Sequence, residues 1–511
     1  SVFPMKKQVK GIIGLGAVLV LLGGGYAALK LTDPDKNGGG DDSSSSTVSS
    51  LEQEKEGAGT ILISDNGEEA TVAEAYVKNE TDEFHVVMLT EPTEDSGATY
   101  TFDGYQDIKM NTAVIGTLVN NGNGLTAVEL IEENSSDLAK YGLDKPKITV
   151  DFTYESGTKR TLYIGNDAPS GSGAYVMTDE GSSVYTAKTS SLANYSKTLN
   201  DFVDTTVLEE PSDDDYPIIN SLRIERQDID YDILLEYDKA SDDDSYKGGT
   251  SATHVMVEPV DCYLTVERSS DITNGMFGLS AEGFYALHCK ESDIAQAGLN
   301  DPFCKVTMAC DDGNTYVLLL SEIFSDDSGK HCYGMLEGGN VIYILSPEKA
   351  RWVTVLPIDI ASRIMVASYV WNITDLDVKC SDGSSESFKI TLKDADLDRD
   401  SAKTEDFNVT RNGEAFDAER YRQFYSFLVG TNAEEFALDE TIPNSAPMAT
   451  VSYTDSYTGK TTTIDFYEYS PMKALIAVDG KSKFFCTKAF VDTLVENVHR
   501  IGTGEDYKTT W

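Results

Sequence analysis

The chain has 511 residues, with 86 acidic side chains against 41 basic ones and a formal net charge of −45. A field of that sign repels nucleic acid and anionic headgroups, because phosphate binding relies on Lys and Arg displacing counterions; nucleic acid is excluded as the main partner. The length exceeds what one hydrophobic core usually organises and suits three units of common domain size.

Lys6, Lys7 and Lys10 precede an uncharged run from Gly11 to Leu29. At about 1.5 Å per residue such a helix nearly spans a bilayer core of about 30 Å. Lysines on its leading side place the N-terminus in the cytoplasm and the bulk of the chain outside. Met5-Lys6-Lys7 reads as the natural start, with Ser1 to Pro4 upstream of it. The expectation is a cytoplasmic stretch over 1–10, a transmembrane anchor over 11–31 and a flexible linker over 32–58, whose Gly, Ser and Asp content cannot bury a core. A cleaved signal peptide is the rival, since Gly25 and Ala27 are small enough for a cleavage site, and it would leave the protein secreted. No Cys lies near the segment, so a lipoprotein anchor is unavailable.

The next residues alternate apolar and polar side chains between turns, which predicts strands at Thr60–Ser64, near Thr71 to Val77 and at Phe84 to Leu89. Three stretches then repeat one pattern. The first is Tyr141-Gly142-Leu143-Asp144-Lys145-Pro146, a strand around Val150, a turn at Gly157, a strand Arg160–Ile164 and Val184-Tyr185. The second is Ala297-Gly298-Leu299-Asn300-Asp301-Pro302, Val306, Gly313, Tyr316–Leu320 and Ile342-Tyr343, offset by 156 residues at Leu299 and Gly313 and by 158 at Tyr343. A more degenerate third copy runs Pro447, Val451, Gly459, Thr463–Tyr467 and Phe484-Phe485. Self-similarity at a fixed period fixes architecture before local propensity is consulted. The fold class expected is α+β: three repeated modules of antiparallel sheet with packed helices, over 59–212, 213–364 and 365–511, preceded by the one transmembrane helix.

Helices are expected at matching places in each copy. Asp417 is placed to cap one whose apolar residues Tyr421, Phe424, Tyr425 and Leu428 share a face; its counterparts are Thr112–Val119 and Ile272–Leu279. A second helix is expected after the last strand of each copy, at Ser190–Val203, Ser346–Val355 and Thr487–Val498, with Ser346 and Thr487 as caps. Glu209 to Asp215 loosens the chain between the first two modules. The second passes to the third through Arg363–Trp371 with no linker, so those two are expected to pack together.

Taken together, the Gly-Leu-x-x-Pro turn, the Gly157 hairpin, Tyr163-Ile164-Gly165-Asn166, the glycine-rich Ser170–Tyr175 and Val184-Tyr185 resemble the bacterial family catalogued as domain of unknown function 4340. The resemblance is close over about 60–207 and recognisable over 216–364; in the third module the turn has become Pro443-Asn444-Ser445-Ala446-Pro447. It implies a membrane-anchored extracytoplasmic protein, often encoded beside an ABC-type transport system similar to gliding-motility exporters, and hence a permease or its ATPase as partner. It carries no catalytic residues to transfer. Physically, Gly142 and Gly298 suit a positive-φ helix end, and Pro146 and Pro302 an extended lead into the next strand.

Little in the chain points to chemistry. The seven cysteines include no CxxC pair, and Cys304 and Cys310 sit on one face of a strand, about 20 Å apart, too far to bond. The five histidines show no ligand spacing, and neither a GxSxG elbow nor an SxxK pair occurs. No catalytic residue and no cofactor is assigned. The one metal candidate is Asp394, Asp396, Asp398, Asp400 and Glu405, spaced as oxygen ligands are in a calcium loop. Against it, Arg399 occupies the place that needs Gly, and Phe388–Leu392 before it reads as a strand, so a solvated acidic loop is favoured. The functional expectation is a non-catalytic, membrane-anchored binding or scaffold protein, accessory to an envelope transporter. The alternatives are a calcium-dependent adhesin or cell-wall binding protein, and an envelope hydrolase with an unrecognised site.

Overall fold

The structure, a computed structural model, describes residues 55–66, 70–169, 171, 173–242, 252–430 and 433–511. The expected anchor, the lysines before it and most of the linker lie outside the described residues. Among the described residues no helix is long and apolar enough to cross a membrane.

Of the described residues, those from Lys55 to Thr205 form one compact unit and Thr206–Trp511 another. The first holds an antiparallel sheet of β1 Val72–Lys78, β2 Glu83–Thr90, β3 Thr99–Phe102, β4 Glu129–Glu132, β5 Ile148–Tyr154, β6 Lys159–Asp167, β7 Ala174–Thr178 and β8 Val184–Ala187, in the order β3-β2-β1-β5-β6-β7-β8-β4.

The second unit holds two sheets. One comprises β9 Ile219–Arg226, β10 Ile233–Tyr237, β11 His254–Glu258, β12 Cys262–Tyr263, β13 Gly283–Leu287, β14 Cys304–Cys310, β15 Thr315–Leu320, β16 Phe324–Asp326, β17 Gly329–Leu336 and β18 Val341–Leu345, ordered β12-β11-β10-β9-β14-β15-β17-β18-β13, with β16 paired to β17. The other comprises β19 Ile373–Cys380, β20 Ser385–Leu392, β21 Phe407–Arg411, β22 Glu414–Phe416, β23 Glu435–Phe436, β24 Ala449–Asp455, β25 Thr461–Glu468, β26 Lys473–Val478 and β27 Lys481–Thr487, ordered β22-β21-β20-β19-β24-β25-β26-β27-β23. Without the extra strands β12, β16 and β22, the three orders are the same, so one topology is built three times. The residue ladders agree in detail: Val150 faces Leu162, Val306 faces Leu318, and Val451 faces Ile464.

Strict alternation makes these strands. In β14, Cys304, Val306, Met308 and Cys310 are buried and the residues between them half-buried, the period-two pattern of a sheet with one face on a core. The hairpins that follow turn on Gly157, Gly313 and Gly459, at φ +86°, +88° and +65°, where a side chain would be strained. The principal core lies between one sheet face and the helices. In the third module α6 Ala418–Val429 buries Tyr421, Phe424, Tyr425 and Leu428 there, and Asp417 accepts from Arg420 N at 2.7 Å as its cap (α1 to α5 are Thr112–Asn120, Thr189–Leu192, Val266–Thr273, Glu291–Gln296 and Pro357–Ile360, and α7 is Lys488–Arg500).

The opposite face carries a smaller cluster in each module, and in the first two the Gly-Leu-x-x-Pro turn supplies a leucine to it. Leu143 packs with Tyr141 and Val184, Leu299 with Ala297, Met335 and Ile342, while Ala437, Tyr467, Leu475, Ala477 and Phe485 fill the third copy. Gly142 and Gly298, at φ +70° and +71°, fold the chain back so that the leucine reaches this face.

Four expected elements differ. Thr60–Ser64 makes only one isolated bridge, from Ile61 to Thr126, because it borders a loop rather than a full strand. The helix expected over Ile272–Leu279 ends at Thr273, since Gly275 and Gly278 take φ +70° and +73°. Ser190–Val203 breaks into α2 and two 3-10 turns, which place Leu192, Tyr195 and Phe202 in the core. Ser346–Val355 winds only at Arg351–Val353, burying Trp352.

Candidate functional site

The second and third modules meet at a groove of about 590 Å3. The connector after α5 lines it, with Ser362 N donating to Tyr263 O at 2.7 Å, and Cys262 and Ile358 pack on the third module's core. Its far wall is the turn end of β24–β25 and β26–β27. Asp455, 6 % exposed, builds that wall by accepting from Ser368 Oγ (2.9 Å), Tyr457 N (3.0 Å) and Thr458 N (2.9 Å).

Three lysines enter this groove on a chain that is otherwise strongly acidic. Lys483, its side chain 12 % exposed, donates to Asp261 of the second module, and Lys460 lies 3.4 Å from Asp479. Lys481 is exposed and, among the described residues, makes no ion pair. The walls are mixed, with Tyr453, Phe484 and Met365 beside these charges. Burial pushes the Cys262 thiol up to about 12, so it is protonated at neutral pH and is no nucleophile. The arrangement offers apolar contact and, at Lys481, an ammonium without an ion pair among the described residues, both of them means of binding.

All seven cysteines are free, five of them buried. Three of the five histidines, His85, His331 and His499, are paired with carboxylates in ways their spacing did not reveal. His85 Nε2 is 2.8 Å from Glu74, and His499 Nε2 is 2.7 Å from Asp382. His331, 7 % exposed, sets Nδ1 2.8 Å from Glu282 Oε2 and Nε2 2.9 Å from Ser328 Oγ. Hydroxyl, imidazole and carboxylate thus stand in the order of a hydrolytic triad. The hydroxyl proton is committed elsewhere, however: Ser328 Oγ donates to Asp326 Oδ1 at 2.5 Å, and its bonds hold Asp326 down to about 2. Glu282 and His331 are 49 residues apart in sequence, so only the Asp-x-Ser turn was readable there. Every carboxyl with a displaced pKa among the described residues is displaced downward, chiefly by hydrogen-bond donors.

The acidic loop after β20 is organised by an arginine. Arg399 donates to the carbonyls of Trp371, Ile373 (3.4 Å) and Ile390 (3.0 Å), and lies over Phe407. Asp394 and Asp398 accept from the backbone N of Asp396 and Asp400, and Asp400 accepts from Tyr457 OH at 2.6 Å. Asp394, Asp396, Asp398, Asp400 and Glu405 are not drawn together: among the described residues no group of three or more His, Cys, Asp or Glu could hold a metal. In the glycine-rich hairpin, Ser170 and Ser172 lie outside the described residues; Gly173 is required there, since a Cβ would stand 1.9 Å from Ala187 O.

Fold and groove define a class: a modular α+β protein with one antiparallel topology repeated three times and a groove between its second and third copies. A family model described as Domain of unknown function (DUF4340) matches residues 101–233, from β3 through β9 to the start of β10. That span is narrower than the resemblance read from the motifs, which extended to 364. No curated protein and no solved structure matches the chain.

Proposed function

We propose that this is a membrane-anchored, extracytoplasmic binding or scaffold protein without catalysis of its own, an accessory component of an ABC-type envelope transport system. The groove between the second and third modules supports the reading, because its mixed walls set Tyr453, Phe484 and Met365 beside the exposed Lys481 in a strongly acidic protein. The downward shifts of the carboxyls agree with it, since a general acid at neutral pH needs its pKa raised. The anchor is argued from the lysines and the apolar run over 11–31, and the transporter from family resemblance alone. The test is crosslinking of the full-length protein in its native membrane, followed by purification and mass spectrometry. Recovery of an ABC permease and its ATPase supports the role; recovery of wall polymer or unrelated surface proteins alone rejects it.

A further inference from the structure

The smaller face of the second module differs from its counterparts by one lost ring. In the first module Tyr141 lies edge-on to Tyr175, with centroids 4.8 Å apart, so each covers the other. Ile164 faces Val176 and Leu320 faces Gly334, which places Tyr333 where Tyr175 stands. The repeat then puts Ala297 where Tyr141 stands, and the covering ring is gone. In the third module the same place holds a buried aliphatic residue, Leu475.

Tyr333 instead joins an open file of rings. Its centroid is 4.8 Å from Tyr285 and 4.6 Å from Phe324, and Phe324 is 5.7 Å from His331. Successive planes tilt by 49°, 32° and 44°, giving a twisted strip. Phe324 comes from β16, a strand with no equivalent in the other two sheets among the described residues. Tyr285 is 39 % exposed and neighbouring Ile323 37 %, more apolar surface than one module needs to leave in water.

We propose that this file binds a neutral polysaccharide, with sugar rings laid on Tyr285, Tyr333 and Phe324. Aromatic faces give large contact area for little lost side-chain freedom, and a sugar ring offers an apolar C–H face to them. Neutrality follows from charge. The protein's field repels polyanions, and the carboxylates beside the file already have protein partners that a cationic ligand would have to displace. Glu282 is taken by His331, and Asp326 by His331, Ser328 and the backbone N of Gly329. Tyr285 OH, bonded to Gln296 Oε1 at 3.1 Å, puts a polar group at the edge where sugar hydroxyls would lie. This inference goes beyond the transport reading and does not depend on it, because purified protein decides it whichever way the membrane crosslinking falls.

The test is native electrophoresis of the purified full-length chain through gels containing soluble β-glucan, xylan or glycol chitin. At least one should retard the protein, Tyr285→Ala should weaken that retardation about tenfold or more, and Tyr285→Phe should retain most of it. Tyr76→Ala, which alters an exposed ring of the first module, should migrate as wild type. The proposal fails if no polysaccharide retards the protein, if Tyr285→Ala leaves retardation intact, or if oligo-lysine peptide binds this face while all three polysaccharides do not.

Discussion

Lys483 of β27 donates to both the backbone carbonyl and the carboxylate (3.2 Å) of Asp261, 222 residues earlier, and so ties the third module to the second across the mouth of the groove. The lysine stem is buried while Asp261 is 65 % exposed, so much of the contribution is packing rather than charge. Lys483→Ala should destabilise the Thr206–Trp511 unit by about 1 kcal/mol, and Lys483→Met, which keeps the stem, by less. Denaturant unfolding of both variants measures this; equal losses would assign the whole effect to charge.

The two equivalent glycines should not tolerate substitution equally. Both have positive φ, so Ala costs about 1 kcal/mol in either. At Gly142 the added Cβ also meets the Asn166 side chain at 2.8 Å, whereas at Gly298 it meets open space. Gly142→Ala should therefore lower stability more than Gly298→Ala. Leu143→Ala and Leu299→Ala, each emptying a buried place, should cost about 2–5 kcal/mol alike.

These positions also mark how far the sequence could be read. Leu143, Leu299, Gly157 and Gly313 recur at one offset because each holds a fixed backbone or packing place, and the ladders align them. Strand order was not legible, because β4, β13 and β23 cross to the far edge of their sheets and nothing local records a partner fifty residues away. Helical periodicity was a good guide over Ala418–Val429, where an Asp cap starts it. It misled at Ser190–Val203, where apolar spacing serves successive 3-10 turns. The groove lies between two modules, and the Glu282–His331 pair joins the residue before β13 to β17, so spacing revealed neither.

Acid should weaken the fold through two turns. Hydrogen bonds from Ser328 and, behind them, His331 hold Asp326 down to about 2; Ser384 and then His499 do the same for Asp382. A carboxyl with a depressed folded pKa contributes stability that is full above its unfolded value of 3.8 and is lost as pH falls toward about 2. Tm should fall across that window, and Asp326→Asn should flatten the fall. An unchanged slope in the variant would contradict the assignment.

Arg399, not a cation, should hold the acidic loop. Arg399→Ala strips three carbonyls of their donor and should cost about 2 kcal/mol, with Arg399→Lys recovering little because one ammonium cannot span them. Calcium and chelator should leave the Tm of wild-type protein unchanged. A rise in Tm with calcium, lost in Asp396→Asn, would restore the ligand-loop reading.

The most direct test of the binding role is a photo-crosslinking side chain placed at Lys481 in the groove and, as control, at exposed Lys389 on β20, activated in the native membrane. The account predicts discrete adducts from position 481, containing a transporter subunit, and none of them from 389. Adducts absent from 481, or the same at both positions, would contradict it.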